Sequence, residues 1–259
     1  MIKVCEHFYT IQGEGPNLGI PSYLIRFSNC NLCCDYCDTK YWGDDDGEEL
    51  TPNLIDNIMS MIPNNCQNII ITGGEPSLYF KDQIFLVLLS KISEDPSRHI
   101  DIETNGLPDI NLLKTSNIYK TIFSFEKTFI TTYNKITFNI SPKFHLECYP
   151  IRDLIMDNIY KYYELIRWDI SICTLVNYKI VYDYTQRDFI KEFIINHINK
   201  SYKNNLYIMP MTPMSLPYPN LFESEYKTSC EDTIEFCKKY GLRYTPRIHI
   251  DVYGLRRGV

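Results

Sequence analysis

Short runs rich in Ile, Val, Leu, Phe and Tyr recur along the chain, with helix-like stretches between them. The strand candidates are SYLIRF (22–27), NIIIT (68–72), HIDIET (99–104), TFNIS (137–141), NYKIVY (177–182) and LYIMP (206–210), with a last β-like segment, RYTPRIHID, from 243. Helices are expected over 76–92, 152–166, 185–199 and 227–240, the first with Pro76 at its opening position, where the missing N–H costs nothing. Strands alternating with helices point to parallel β-α units, in an open sheet or a barrel. No internal repeat and no Gly/Ser-rich linker interrupts the series, so residues 1–259 read as a single α/β domain.

The polar motifs follow the strands. SNCNLCC comes after 22–27, TGGEP after 68–72, TNG after 99–104 and SPK after 137–141. In parallel α/β folds ligands bind at the carboxyl ends of strands, so these four motifs are expected to meet at one site.

Composition narrows the class of ligand. The chain has 259 residues, is 44% hydrophobic and 22% charged, and carries a net charge of −6. No dense Lys/Arg tract is present, so a small-molecule substrate fits better than a nucleic-acid backbone. IFLVLL at 84–89 is too short to span a bilayer and MIKVCEHFYT lacks a secretory pattern, so a soluble cytoplasmic protein is expected. The acidic run DDDGEE at 44–49 reads as a solvated loop. Of ten cysteines, Cys5, Cys66, Cys148, Cys173, Cys230 and Cys237 are scattered and read as reduced packing residues.

The other four crowd into CNLCCDYC. Taken as two adjoining C-x-x-C pairs, Cys30, Cys33, Cys34 and Cys37 offer a zinc shell. Taken as C-x-x-x-C-x-x-C, Cys30, Cys34 and Cys37 hold three corners of an iron–sulfur cluster and leave the fourth iron open. Adjacent Cys33 and Cys34 make a poor cage for one ion, because their side chains tend to diverge. That favours the cluster. In TGGEP the paired glycines allow close backbone approach to a ligand, and Glu75 supplies a carboxylate for an amine. Alone, such a segment is more often a tight turn opening a helix.

Together the two motifs resemble the radical S-adenosylmethionine (SAM) superfamily. FYTIQGEGPNLGIPSYLIRF, the cysteine loop with Asp38-Thr39, ETNG, SPK, NYKIVYD and RIHIDVYGLRRGV resemble 7-carboxy-7-deazaguanine synthases in order along nearly the whole chain. The resemblance implies a modified, incomplete (β/α) barrel, a homodimer and an external electron donor such as flavodoxin. It implies ring contraction of 6-carboxy-5,6,7,8-tetrahydropterin to 7-carboxy-7-deazaguanine with loss of ammonia, on the route to queuosine-type bases.

Carried over by position, the resemblance assigns Cys30, Cys34 and Cys37 to a 4Fe-4S cluster and Thr39 to Mg2+. Tyr36, Cys37, Asp38, Gly74, Glu75, Ser141, Pro142 and Lys143 match SAM-binding positions. Ile11, Gln12, Gly13, Glu14, Arg26 and Thr72 match substrate contacts, with a guanidinium at Arg26 suited to the pterin carboxylate. MPMTP at 209–213 matches a SAM-contacting loop only loosely, His249 resembles a histidine near the family's substrate, and Val259 is given no role. Extra length is expected near 106–136 and 144–170. The competing expectations are another radical SAM enzyme, such as a glycyl-radical activating enzyme, and a zinc-bound interaction module.

Overall fold

In the computed structural model, residues 1–34, 36–39, 47–106, 136–143, 174–197, 205–213, 219–254 and 256–258 are described. The helix expected over 152–166, Val259, and nearly all of 106–136 and 144–170 lie outside them.

Alternation within the strands decides how the sheet is used, because successive side chains point to opposite faces. In β2 (Pro21–Phe27), Tyr23, Ile25 and Phe27 are buried in the apolar core, while Leu24 and Arg26 line a cavity on the other face. The same division runs through β4 (Asn68–Gly73), β5 (His99–Thr104) and β7 (Thr174–Tyr182), while β6 (Ile136–Ile140) is buried throughout. Ile69, Ile71, Ile100, Ile102, Phe138, Ile140, Tyr178 and Ile180 join the core, and Ile70, Thr72, Glu103, Lys179 and Val181 line the cavity. The core lies between the sheet and helices α1 (Pro52–Met61), α2 (Gln83–Ser93), α3 (Arg187–His197) and α4 (Pro219–Tyr240), which contribute residues such as Leu54, Phe85, Phe193 and Phe236.

Among the described residues nine strands form one sheet. With β1 (Lys3–Ile11), β3 (Glu48–Glu49), β8 (Leu206–Pro210) and β9 (Arg243–Tyr244), the order is β3-β1-β2-β4-β5-β6-β7-β8-β9. From β2 to β9 every neighbouring pair is parallel, whereas β1 is antiparallel to both β2 and β3. This open, mostly parallel sheet with helices agrees with the β-α units expected from the strand–helix alternation and with the incomplete barrel that the resemblance implies.

Several elements depart from expectation, each for a local reason. The segment from 243 is a strand only through Tyr244, and Ile248–Tyr253 forms a short helix, α5. Beyond Tyr244 the chain turns onto the QGEG segment instead. Gly15 N–H donates to Thr245 Oγ1 at 2.8 Å, and Ile248 N–H donates to Gly13 O at 3.1 Å. The helix expected over 76–92 divides: Pro76 opens a 3-10 turn, Pro76–Tyr79, and α2 starts afresh where the Asp82 carboxylate accepts from Ile84 N–H. Helix α1, capped by Thr51, and strand β1 were not anticipated. Nor was β3, where Glu48 and Glu49 of the acidic run pair with β1.

Candidate active site

Six parallel strands bring their carboxyl ends to one side of the sheet, and a cavity of about 280 Å3 opens there. β1 runs the other way, so the QGEG turn enters from the amino ends of the parallel strands. Gln12 Nε2 donates to Asp101 at 3.4 Å, and Asn17 Nδ2 donates to both oxygens of Asp101 at 3.0 and 2.9 Å. The cavity thus has a floor from QGEG and walls from the strands. Its lining brings together Ile11, Gln12, Gly13, Glu14, Arg26, Cys30, Cys34, Tyr36, Cys37, Asp38, Thr39, Thr72, Gly74, Glu75, Ser141, Lys143 and His249. Of the described residues assigned to the cluster, Mg2+, SAM or substrate by the resemblance, Pro142 does not line it.

The paired glycines have a more specific task than approach to a ligand. A Cβ on Gly74 would stand 1.8 Å from the carbonyl oxygen of Asn29, and one on Gly73 would stand 2.2 Å from that of Phe27. Gly74 N–H donates to Phe27 O at 3.0 Å and Glu75 N–H to Asn29 O at 2.8 Å. TGGEP is therefore laid directly against the start of the cysteine loop, leaving no room for a side chain between them.

Glu75 braces the same region. Its buried carboxylate accepts from Thr104 Oγ1 at 2.6 Å, Asn105 N–H at 2.7 Å, Ser77 N–H at 3.1 Å and the Ser77 hydroxyl. Burial raises its pKa and these neutral donors counter only part of that. Asn105 Nδ2 in turn donates to Asn31 Oδ1 at 2.8 Å, tying the TNG segment to the cysteine loop.

The loop separates its four thiols. Cys30, Cys34 and Cys37 line the cavity, whereas Cys33 is exposed and does not line it. A zinc shell would need all four on one ion, so the arrangement suits the three-thiolate cluster. Among the described residues no three His, Cys, Asp or Glu side chains gather as ligands of a single ion. Burial raises the pKa of all three cavity thiols, that of Cys30 to about 11, with the Leu32 amide giving partial relief there. The Lys143 ammonium lies close enough to favour the thiolates of Cys34 and Cys37, and donates to Ser141 Oγ at 2.9 Å.

Beside the loop, Arg26 is held by Glu6 at 2.7 Å and donates through Nη1 to Thr39 Oγ1 at 3.1 Å. Thr39 donates onward to Asp38 Oδ1 at 3.2 Å. Thr39 and Asp38 offer adjacent hard oxygens of the kind Mg2+ prefers. The other oxygen of Glu6 pairs with Arg257 at 3.2 Å, which fastens the C-terminal segment to β1.

A chain of charges crosses the cavity. Asp38 is paired with Arg247, whose Nε also meets Glu14 at 3.0 Å and whose Nη1 donates to Thr212. Glu14 pairs with Lys179 at 2.9 Å, and Lys179 pairs with Glu103 at 2.5 Å. Burial alone would raise Glu14, but Lys179 and Arg247 together hold it well below the usual carboxylate range. Asp38, likewise opposed by burial and held down chiefly by Arg247, lies at about 2. Glu103 is raised: burial, with the charges of Glu14 and Asp101, outweighs the ion pair with Lys179 and the hydrogen bond from Asn139 Nδ2 at 3.1 Å. For Lys179, burial lowers the ammonium pKa, and Glu103 and Glu14 more than offset that. His249 sits on α5, not on a strand, packed against Gly13; burial lowers its pKa against the pull of Glu14.

Comparison with known proteins agrees with this architecture. Residues 24–125 match the radical SAM superfamily. A 7-carboxy-7-deazaguanine synthase from Clostridium acetobutylicum is 32% identical over 214 residues, covering 81% of each chain. The chain belongs to the 7-carboxy-7-deazaguanine synthase family. Another synthase of that name, from Bacteroides thetaiotaomicron, is 41% identical over 106 residues, 41% of this chain and 53% of that protein. The crystal structure of QueE from Escherichia coli covers 94% of this chain and 92% of its own at a TM-score of 0.57 and 16% identity, a likeness of fold.

In this member of the 7-carboxy-7-deazaguanine synthase family, Glu103, Lys179 and Arg247 are charged cavity residues that received no role from the sequence, although ETNG, NYKIVYD and RIHIDVYGLRRGV contain them. Glu103 and Lys179 left a signal, being charged residues inside otherwise apolar strands, which are seldom buried without a partner. Arg247 left none. No helix among the described residues is long and apolar enough to cross a membrane.

Proposed function

We propose that this chain converts 6-carboxy-5,6,7,8-tetrahydropterin to 7-carboxy-7-deazaguanine with release of ammonia, on the route to queuosine-type bases. The observation that carries the proposal is the meeting of the cysteine loop, TGGEP, SPK, Arg26 and the QGEG turn around one cavity, in a chain of this family. In this reading Cys30, Cys34 and Cys37 hold a 4Fe-4S cluster, and Tyr36, Asp38, Gly74, Glu75, Ser141, Pro142 and Lys143 form the SAM region. Bound together, cluster and SAM supply a radical that removes hydrogen from the substrate.

The chain's own residues bind and orient. Arg26 receives the pterin carboxylate, and Glu6 keeps its guanidinium turned toward the cavity. Gln12 and Glu14, with Ile11, Gly13 and Thr72, face the guanine-like edge, for which an amide and an ionised carboxylate supply donors and acceptors. His249 packs against Gly13 and keeps that turn in place. Thr39 would hold Mg2+, with Asp38 alongside. Its hydroxyl also accepts from Arg26, so a cation there competes with that hydrogen bond. We read the chain as a single cytoplasmic domain that works as a homodimer with an external electron donor such as flavodoxin.

The test is an anaerobic assay of reconstituted protein with reductant, SAM, Mg2+ and the carboxytetrahydropterin. Formation of 7-carboxy-7-deazaguanine is expected. A protein that binds iron and sulfide and cleaves SAM yet forms no such product would overturn the assignment. Zinc without iron or sulfide would remove the radical chemistry itself.

A further inference from the structure

We propose that Arg247 is a positioning residue that sets the spacing between the substrate end and the cofactor end of the cavity. The inference rests on the roles given above to Glu14 and Asp38. These two carboxylates belong to segments far apart in the chain, the QGEG turn after β1 and the pair following the last cysteine after β2. Asp38 is disfavoured by the charge of Glu14, so the two repel across the cavity. The Arg247 guanidinium stands between them.

Its three nitrogens are divided among three segments. Nε meets Glu14 Oε1 at 3.0 Å, Nη2 takes Asp38 Oδ2, and Nη1 donates to the buried hydroxyl of Thr212, in the loop after β8. Each carboxylate keeps its other oxygen for a second partner: Glu14 Oε2 for Lys179 at 2.9 Å, Asp38 Oδ1 for Thr39 at 3.2 Å. Arg247 therefore determines which way both carboxylates turn.

The backbone around it is fixed independently. Arg247 O accepts from Ile250 and Asp251 N–H at 2.9 Å, and the neighbouring Ile248 N–H is bonded to Gly13 O at 3.1 Å. A planar fork can bridge two carboxylates and a hydroxyl at once. A lysine ammonium, a single point of charge on a shorter reach, satisfies one carboxylate and releases the other to move away from it.

The experiment is equilibrium binding of 6-carboxy-5,6,7,8-tetrahydropterin to holoenzyme with an oxidised cluster, which binds without turnover, compared between wild type and Arg247→Lys. Iron and sulfide content and SAM binding are measured on the same preparations. Pterin affinity is expected to fall about tenfold in Arg247→Lys, with cluster content and SAM binding retained, because a misplaced supporting contact commonly has an effect of that size. A merely structural clasp would lower the melting temperature and leave pterin affinity unchanged, and that result overturns the proposal. Should Arg247→Lys fail to fold, Thr212→Val removes only the third anchor. It is expected to weaken pterin binding about threefold, and unchanged affinity in that folded variant overturns the proposal equally. Failure of wild type to bind or convert the pterin would instead defeat the functional assignment.

Discussion

Two glutamates, the buried Glu75 and the partly buried Glu14, hold the cavity together by opposite means. Glu75 sits among hydroxyls and amides, and burial raises its pKa. Glu14 sits between Lys179 and Arg247, which hold it ionised. The cysteine side is thus built from close backbone packing and neutral donors, and the side where β1 meets the C-terminal segment is built from ions. The difference is one of tolerance. The first side resists any change of volume, and the second resists any change of charge.

The sharpest break is expected on the cysteine side. Cys34→Ser should abolish cluster assembly and activity, whereas Cys33→Ser should preserve both; iron and sulfide per chain would show it. Gly74→Ala should come next. Its added Cβ must displace the Asn29 backbone, at about 3 kcal/mol or more of stability, with loss of cluster content, checked by urea unfolding and metal analysis.

Glu14→Gln and Glu75→Gln set the two sides against each other. Removing the Glu14 charge strips Lys179 and Arg247 of a shared partner, at about 3 kcal/mol near neutral pH. The native pKa of Glu14 is depressed, so its stabilisation is present above the ordinary value of 4.5 and is lost as pH falls toward the native value. The deficit of Glu14→Gln should therefore shrink on acidification. Glu75→Gln turns an amide N–H toward donors, at about 1–2 kcal/mol. With a raised native pKa, wild-type Glu75 contributes most below 4.5 and loses that as pH rises through the raised value, so this deficit should shrink in the alkaline direction. Denaturation midpoints between pH 3 and 8 would show the two trends crossing; parallel trends would remove the distinction. The smallest effect belongs to Arg257→Ala. Its half-exposed pair with Glu6 should contribute under about 1 kcal/mol, because Arg26 continues to engage the same carboxylate.

Much of the fold was legible because the parallel strands are short apolar runs each followed by a polar motif. The cysteine loop, TGGEP and SPK announced themselves by composition. β1 escaped because KVCEHFYTI mixes charge with aromatics: its cavity face carries Glu6, Phe8 and Thr10, and so lacks an apolar stripe. The end of the chain looked like a strand because RYTPRIHID is β-rich. Its Ile248 N–H instead donates to Gly13 O and its Thr245 hydroxyl accepts from Gly15 N–H, tertiary contacts that no local propensity encodes. Arg247 went unseen for the same reason. Its carboxylate partners lie 209 and 233 residues away, so its place in RIHIDVYGLRRGV does not show what it touches.

That 209-residue separation between Arg247 and Asp38 has a consequence for the birth of the protein. At ribosomal speeds of about 5–20 residues per second, roughly 10–40 s pass between synthesis of the cysteine loop and synthesis of the arginine that braces it. Throughout that interval Asp38 lacks the Arg247 guanidinium, and the C-terminal segment that borders the cavity does not yet exist. The nascent chain thus presents its thiols before the wall that encloses them, an order of events that suits a site whose metal must arrive from outside.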